Sequence, residues 1–121
     1  MKPLIGLIGA ALLCATVIAK AVEIHEGETG YIANSSMWFT DEPDLAVWKR
    51  VRQAFAPKNV ETYRGIILKE RRAWQFIAGP LKVKVIGYDA ARREMQVKML
   101  TAGRLAGTEW WVEDKDYSKT K

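Results

Sequence analysis

Two adjacent tryptophans near the C-terminus, Trp110 and Trp111, are the strongest candidates for binding chemistry in this sequence. Neighbouring side chains on a β-strand point to opposite faces, so a core on one side leaves the second indole on the other side. An exposed indole is a flat apolar surface on which a sugar, a proline or a base can stack. We therefore expect one of the pair to be a surface platform, unless another element covers the second face and buries both.

A pair of lysines, Lys82 and Lys84, would add positive charge to such a surface, because residues two apart on a strand share a face. Residues 49–104 hold fourteen Lys and Arg against four Asp and Glu, an excess of ten positive charges. Such a basic stretch favours an anionic partner, although an ordinary solvated face has the same composition. Charge alone does not separate membrane lipid, anionic glycan, nucleic acid and acidic protein as partners.

Catalytic and metal chemistry find few candidate residues. The sequence has one histidine, His25, and one cysteine, Cys14, so most base–nucleophile pairs lack a partner. Asp89 and Glu94 remain candidates for an acid–base pair, but the sequence specifies neither their separation nor a cleft. His25 stands among scattered carboxylates, a pattern that does not define a metal site. We expect no enzymatic activity, no cofactor and no bound metal.

The N-terminus is typical of an export signal. Lys2 precedes sixteen uncharged residues, 4–19, and Ala19-Lys20-Ala21 matches the small-x-small cleavage pattern. This length lies between a signal h-region and a membrane-spanning helix, which needs about 20 apolar residues. We predict that residues 1–21 are a cleaved signal peptide and that 22–121 form a single small domain, periplasmic or secreted. The alternative is an uncleaved membrane anchor, which also places the domain outside the cytoplasm.

One amphipathic helix is predicted over residues 41–55. Thr40 or Asp41 can cap its start, and Pro43 is tolerated in the first turn. A single apolar stripe then recurs every three or four residues, formed by Leu45, Trp48, Val51 and Phe55. Pro57 disfavours helical backbone at the preceding residue, so the helix is predicted to end there.

The stretch from residue 60 to 112 is predicted to be rich in β-strands. Alternating apolar and polar residues, with a hairpin turn at 89–93, predict strands over 81–85, 95–99 and 108–112. Residues 60–78 are ambiguous. Trp74 and Phe76 alternate as in a strand, while residues 66–78 also suit a helix, and we favour strands.

Three segments share a recognisable pattern: Gly-Pro-Leu-Lys-Val-Lys-Val at 79–85, Met-Gln-Val-Lys-Met at 95–99 and Gly-Arg-Leu-Ala-Gly-Thr-Glu-Trp-Trp-Val at 103–112. Together they make residues 79–117 resemble the C-terminal part of bacterial SH3-like domains. The resemblance implies a small, strongly bent antiparallel barrel that binds peptides or cell-wall material, with Trp110 lining the ligand groove. The helix at 41–55 would be an accessory to this barrel. An OB-like barrel or an α+β fold is the alternative.

These observations predict a mainly β, non-catalytic binding module that works in the periplasm or outside the cell. Its candidate contact surface combines Trp110, Tyr88, Lys82 and Lys84. The expected partner is a peptide or protein, a cell-wall glycan or another anionic surface, and nucleic acid is not expected for an exported domain. The alternative is an interaction subunit of a secretion or DNA-transfer complex, held by an uncleaved N-terminal anchor.

Overall fold

A computed structural model describes residues 23–101 and 103–121. The predicted signal peptide or anchor, its cleavage site and Cys14 lie outside these residues. Within them, no helix has the length and apolar character needed to cross a membrane. The elements in chain order are β1 Thr29–Ile32, β2 Met37–Phe39, α1 Glu42–Ala54, α2 Pro57–Lys69, β3 Ala73–Gln75, β4 Leu81–Asp89, β5 Glu94–Met99, β6 Glu109–Glu113, a 3-10 turn Asp114–Asp116 and β7 Tyr117–Ser118.

The strands of the described residues form one antiparallel sheet in the order β3-β2-β6-β5-β4-β1-β7. Its centre is the β4–β5 hairpin, continued by β6, and the register places Val97 opposite Trp110. The edge strands β3 and β7 do not pair with each other, so the sheet is open. The mainly β prediction is confirmed, whereas a closed barrel is not.

Alternation along the strands divides the apolar side chains between the two faces of the sheet. One face carries the sheet cluster, whose buried members are Ile32, Trp38, Val83, Val85, Met95, Val97, Met99, Trp110, Val112 and Tyr117. On the other face, the two helices pack against β2 and β3. The buried members of this helix cluster are Met37, Phe39, Leu45, Trp48, Ile67 and Ala73.

Helix α1 confirms the helix predicted over 41–55, with one correction. Asp41 occupies the N-cap position, and Leu45 and Trp48 of the predicted stripe are buried. Phe55, the last member of that stripe, is instead 57 % exposed. Its backbone has already left the helical conformation (φ −117°, ψ 158°), so helical spacing no longer directs its side chain towards the core.

Helix α2 contradicts the strand favoured for the first part of residues 60–78. Pro57, predicted to end the first helix, opens this second helix, at a position where its missing N–H is tolerated. Val60, Tyr63 and Ile67 recur at spacings of three and four and pack in the helix cluster. Gly65 weakens the helix propensity of this segment, so the helix owes its stability to that packing. The later part of the ambiguous stretch does contain a strand, β3.

The predicted hairpin and the strand after it are confirmed. β4 and β5 pair on either side of a turn at residues 90–93, and β6 pairs with the other edge of β5. β4 runs on to Asp89, beyond the predicted end at residue 85. A register shift between Val85 and Gly87 marks a bulge, which bends the strand.

Candidate binding site

An open groove of about 350 Å³ lies at the end of the sheet where β4 begins and β5 ends. Most of the side chains that line it are apolar: Trp74, Phe76, Leu81, Met99 and Leu105. All five pack against or belong to the sheet cluster, so the groove is a continuation of the core that is open to solvent. Volumes of this order are typical of sites that accept small ligands or a few side chains.

Trp74 and Phe76 form the aromatic wall of the groove. Their rings are nearly parallel, with centroids 6.5 Å apart and an interplanar angle of 17°, and both residues are half-buried. Behind them, Trp110 stands edge-on to Trp74 and to Phe76, at 5.8 and 5.9 Å between centroids. Trp38 also meets Phe76 edge-on at 5.2 Å. Because fixed rings surround it, the wall is held in place before any ligand arrives.

The charge at the groove is positive. Among the described residues that line the groove, Arg104 is charged and none carries a carboxylate. At the wall, the guanidinium of Arg71 lies 5.7 Å from the centroid of the Trp74 ring, within the range of a cation–π contact. The groove therefore suits an apolar group that carries a negative charge beside it.

The expectation that Trp110 is an exposed platform is wrong. Trp110 is 3 % exposed, and its indole N–H donates to Thr108 Oγ1 at 2.7 Å. Trp111 points to the opposite face, as strand alternation requires, and packs half-buried against the helix cluster. The rings of Trp38, Trp74 and Phe76 cover one face of β6. The helix cluster covers the other face, so a second element shields the other indole, as the alternative interpretation of the sequence predicts.

The other predicted site residues do not meet at one surface. Tyr88 packs against the sheet cluster and donates its hydroxyl to Asp114 Oδ2 at 2.7 Å. Burial, followed by this hydrogen bond, raises the pKa of Tyr88 to about 12. Lys82 and Lys84 do share an exposed side of β4, as predicted, but Val83 and Val85 between and beyond them point into the sheet cluster. Lys82 and Lys84 therefore lie on the opposite face of the sheet from Trp110 and Tyr88.

The sequence predicts part of the aromatic wall. The alternation of Trp74 and Phe76 in Ala-Trp-Gln-Phe indicates that both side chains share one face of a strand. Their proximity to Leu81, Met99 and Leu105 depends on strand pairing, which no local pattern specifies. For this reason the sequence points to the tryptophan pair at 110–111 and misses the groove.

A second cavity, of about 370 Å³, lies between the helices and the sheet and is polar. Arg52 donates from both terminal nitrogens to the carboxylate oxygens of Glu113, each at 2.6 Å, and this interaction raises the pKa of Arg52. Arg64 donates to Glu61 and to Gln75 Oε1 at 2.8 Å. These charged groups are engaged with each other, so they join the helices to the sheet and present no free nucleophile or base.

The candidate acid–base pair of Asp89 and Glu94 stands directly opposite in the register of the β4–β5 hairpin, but each carboxylate is engaged by another group. Glu94 is 2 % exposed and accepts a hydrogen bond from Lys49 Nζ at 3.1 Å. Burial, and next a hydrogen bond with the Glu42 carboxyl, raise the pKa of Glu94. Asp89 is instead engaged by the backbone N–H of Arg92 at 3.1 Å. Glu94 thus joins α1 to the start of β5 through its ion pair with Lys49, and its burial leaves no access for a substrate.

Metal-binding groups are scattered across the described residues. There, no three His, Cys, Asp or Glu side chains come close enough to hold a metal ion together. His25 has Glu23 as an exposed neighbour, with Nε2 3.5 Å from a carboxylate oxygen.

Comparison with known proteins finds no protein family, no curated protein and no solved structure that matches this chain.

Proposed function

We propose that the protein is a non-catalytic binding module that works outside the cytoplasm and holds a peptide in the groove beside Trp74 and Phe76. The observation that supports this most directly is the aromatic wall itself, in which two half-buried rings are fixed by Trp38 and Trp110 yet remain open to solvent on one side. Aromatic anchors that are held rigidly lose little conformational entropy when a partner binds.

The proposed ligand is an extended peptide with a proline or aromatic residue next to an acidic one. An apolar ring would stack on the wall formed by Trp74 and Phe76. The neighbouring carboxylate would pair with Arg104, which is exposed at the same groove. Because an arginine fork and a carboxylate pair through two parallel hydrogen bonds, this contact would fix the direction of the peptide.

Two further features support the proposal. The segments that resemble bacterial SH3-like domains form β4, β5 and β6, which are consecutive neighbours in the sheet. Their apolar side chains share one core, so a bent SH3-like sheet, with the stretch from β2 to β3 as an insertion, is the proposed scaffold. The proposed location outside the cytoplasm rests on the export signal predicted from the sequence of residues 1–21.

A random peptide library displayed on phage and selected on the purified protein tests the proposal, followed by calorimetric titration of the enriched peptides. Trp74→Ala should weaken binding about 30-fold or more, equivalent to roughly 2 kcal/mol for an aromatic anchor. Arg104→Gln, at an exposed position, should weaken the acidic peptides without changing stability. Trp111→Ala removes the same side chain from the opposite face and serves as the matched control.

Selection that enriches no peptide would contradict the proposal. Peptides that bind Trp74→Ala as tightly as the unaltered protein, with that variant folded by circular dichroism, would also contradict it. Loss of binding in Trp111→Ala alone would move the contact surface to the helix side of the sheet.

A further inference from the structure

Three lysines lie together on the face of β4 and β5 that is turned away from the sheet cluster. Lys84 stands directly opposite Lys98 in the register of the hairpin, and Lys82 precedes Lys84 by two residues on the same face. Directly opposed residues have Cβ atoms about 5 Å apart, and residues two apart on a strand are separated by about 7 Å. The three ammonium groups therefore extend from one small area, which we call the lysine face.

The positive charge of the lysine face is not neutralised by the rest of the described chain. Other lysines there do meet carboxylates, such as Lys49 with Glu94 and Lys119 with Glu28, but those of the lysine face form no such pair. Glu109 stands opposite Lys98 in the register but lies in no ion pair with it, so the three lysines keep a net positive charge. Like charges directly opposed on a sheet destabilise it, so folding alone does not account for this arrangement.

The shape of the lysine face distinguishes between anionic partners. Lys82 and Lys84 are exposed and line neither the aromatic groove nor the polar cavity, and such an open face favours an extended anionic partner over a small phosphate compound. One exposed apolar residue adjoins the face: Leu100, 39 % exposed, which follows Lys98 by two residues. The backbone N–H of Leu100 donates to the carbonyl of Lys82 at 2.9 Å, which places these residues side by side.

We infer that the lysine face docks the protein on an anionic lipid surface, with Leu100 in shallow contact with the lipid. Flexible lysine stems can lie along the interface while the ammonium groups reach the phosphates. A patch that combines clustered lysines with an exposed aliphatic side chain fits the boundary between head groups and acyl chains. This inference does not depend on the aromatic groove, whose residues open on the other side of β4.

Vesicle sedimentation with the full chain tests the inference. The quantity measured is the ratio of partitioning onto vesicles of phosphatidylcholine with phosphatidylglycerol to partitioning onto phosphatidylcholine alone. Any contribution of the apolar N-terminus is the same in every variant. Each lysine near an anionic surface contributes roughly a fivefold effect, so the triple variant Lys82→Gln/Lys84→Gln/Lys98→Gln should lower the ratio on the order of 100-fold. Raising the salt concentration should lower the ratio of the unaltered protein in the same direction.

A matched control removes three positive charges from exposed positions on the helices: Arg50→Gln/Lys58→Gln/Lys69→Gln. We expect this control to change the ratio by severalfold at most. The single variant Lys84→Gln should lower the ratio about fivefold and guards against misfolding of the triple variant. Equal loss in the two triple variants would overturn the inference, because it would show a response to net charge alone. Equal partitioning of the unaltered protein onto both kinds of vesicle would also overturn it and would leave an acidic protein as the partner of this face.

Discussion

Replacing Trp110 by alanine is the most direct test of how the sheet distributes its aromatic residues. The side chain is 3 % exposed, and truncating a buried tryptophan costs about 3–5 kcal/mol through lost burial and the cavity that remains. Trp110 also stands edge-on to three rings, those of Trp38, Trp74 and Phe76, at centroid distances of 5.8–5.9 Å. Each such pair contributes about 0.5–1.5 kcal/mol beyond its area. We therefore expect a loss in the upper half of the range, about 4–5 kcal/mol.

Urea unfolding followed by far-ultraviolet circular dichroism measures this loss. For a domain of this size, about 4 kcal/mol corresponds to a decrease of roughly 20 °C in Tm, so thermal unfolding gives an independent value. The comparison is Trp111→Ala, which removes the same side chain one residue further along β6. Trp111 is half-buried, and its truncation should cost less, about 1–3 kcal/mol.

The order of the two costs decides whether the reasoning holds. If Trp110→Ala cost under about 1.5 kcal/mol, the side chain would lie at the surface, as the resemblance to SH3-like domains implies. If Trp111→Ala cost as much as Trp110→Ala, the side chains on the two faces of β6 would be equally buried, and the assignment of the sheet cluster as the principal core would be wrong.

Three further predictions concern contacts that the structure places between distant segments. Arg52→Met should cost about 2–3 kcal/mol in denaturant unfolding, because it leaves the nearly buried Glu113 carboxylate without its partner; a cost under about 0.5 kcal/mol, typical of a surface change, would contradict it. The pKa of Glu94 is raised in the folded protein, so folded Glu94 binds its proton more tightly than Glu94 in the unfolded chain. Its contribution to stability is therefore present at low pH and is lost as the pH rises from the ordinary pKa of a glutamate to the raised pKa of the folded state. Glu94→Gln should flatten that part of the curve of unfolding free energy against pH, and parallel curves for the two proteins would refute the assignment. Gly30→Ala should lower the free energy of unfolding by about 1–3 kcal/mol, and Tm with it, because a Cβ at residue 30 would overlap the ring of Tyr117. That ring is held in place by the Tyr117 hydroxyl, which donates to Glu28 Oε2 at 2.5 Å. An unchanged Tm would place the ring elsewhere.

Local patterns in the sequence were sufficient for the elements whose signals agree with each other. The N-cap at Asp41 and the apolar stripe of α1 favour the same helix, whose last residue, Ala54, lies one residue before the predicted end. The alternation in 81–85 and 95–99, joined by a polar turn, determines β4, β5 and their pairing as a hairpin, because neighbouring strands with a short connection pair antiparallel. The mainly β class and the shared face of Lys82 and Lys84 follow from these two periodicities.

Tertiary structure decided the features that depend on what lies across a strand or helix. Helix α2 contains Gly65 and has a weak intrinsic preference, so it forms because Val60, Tyr63 and Ile67 find the helix cluster. Alternation requires Trp110 and Trp111 to face opposite sides, but the sheet cluster and the helices determine that neither is a free platform. The aromatic groove likewise arises where β3, the start of β4 and the end of β5 converge. Local sequence sets the direction of a side chain relative to its own backbone, whereas burial depends on segments tens of residues away that fold against it.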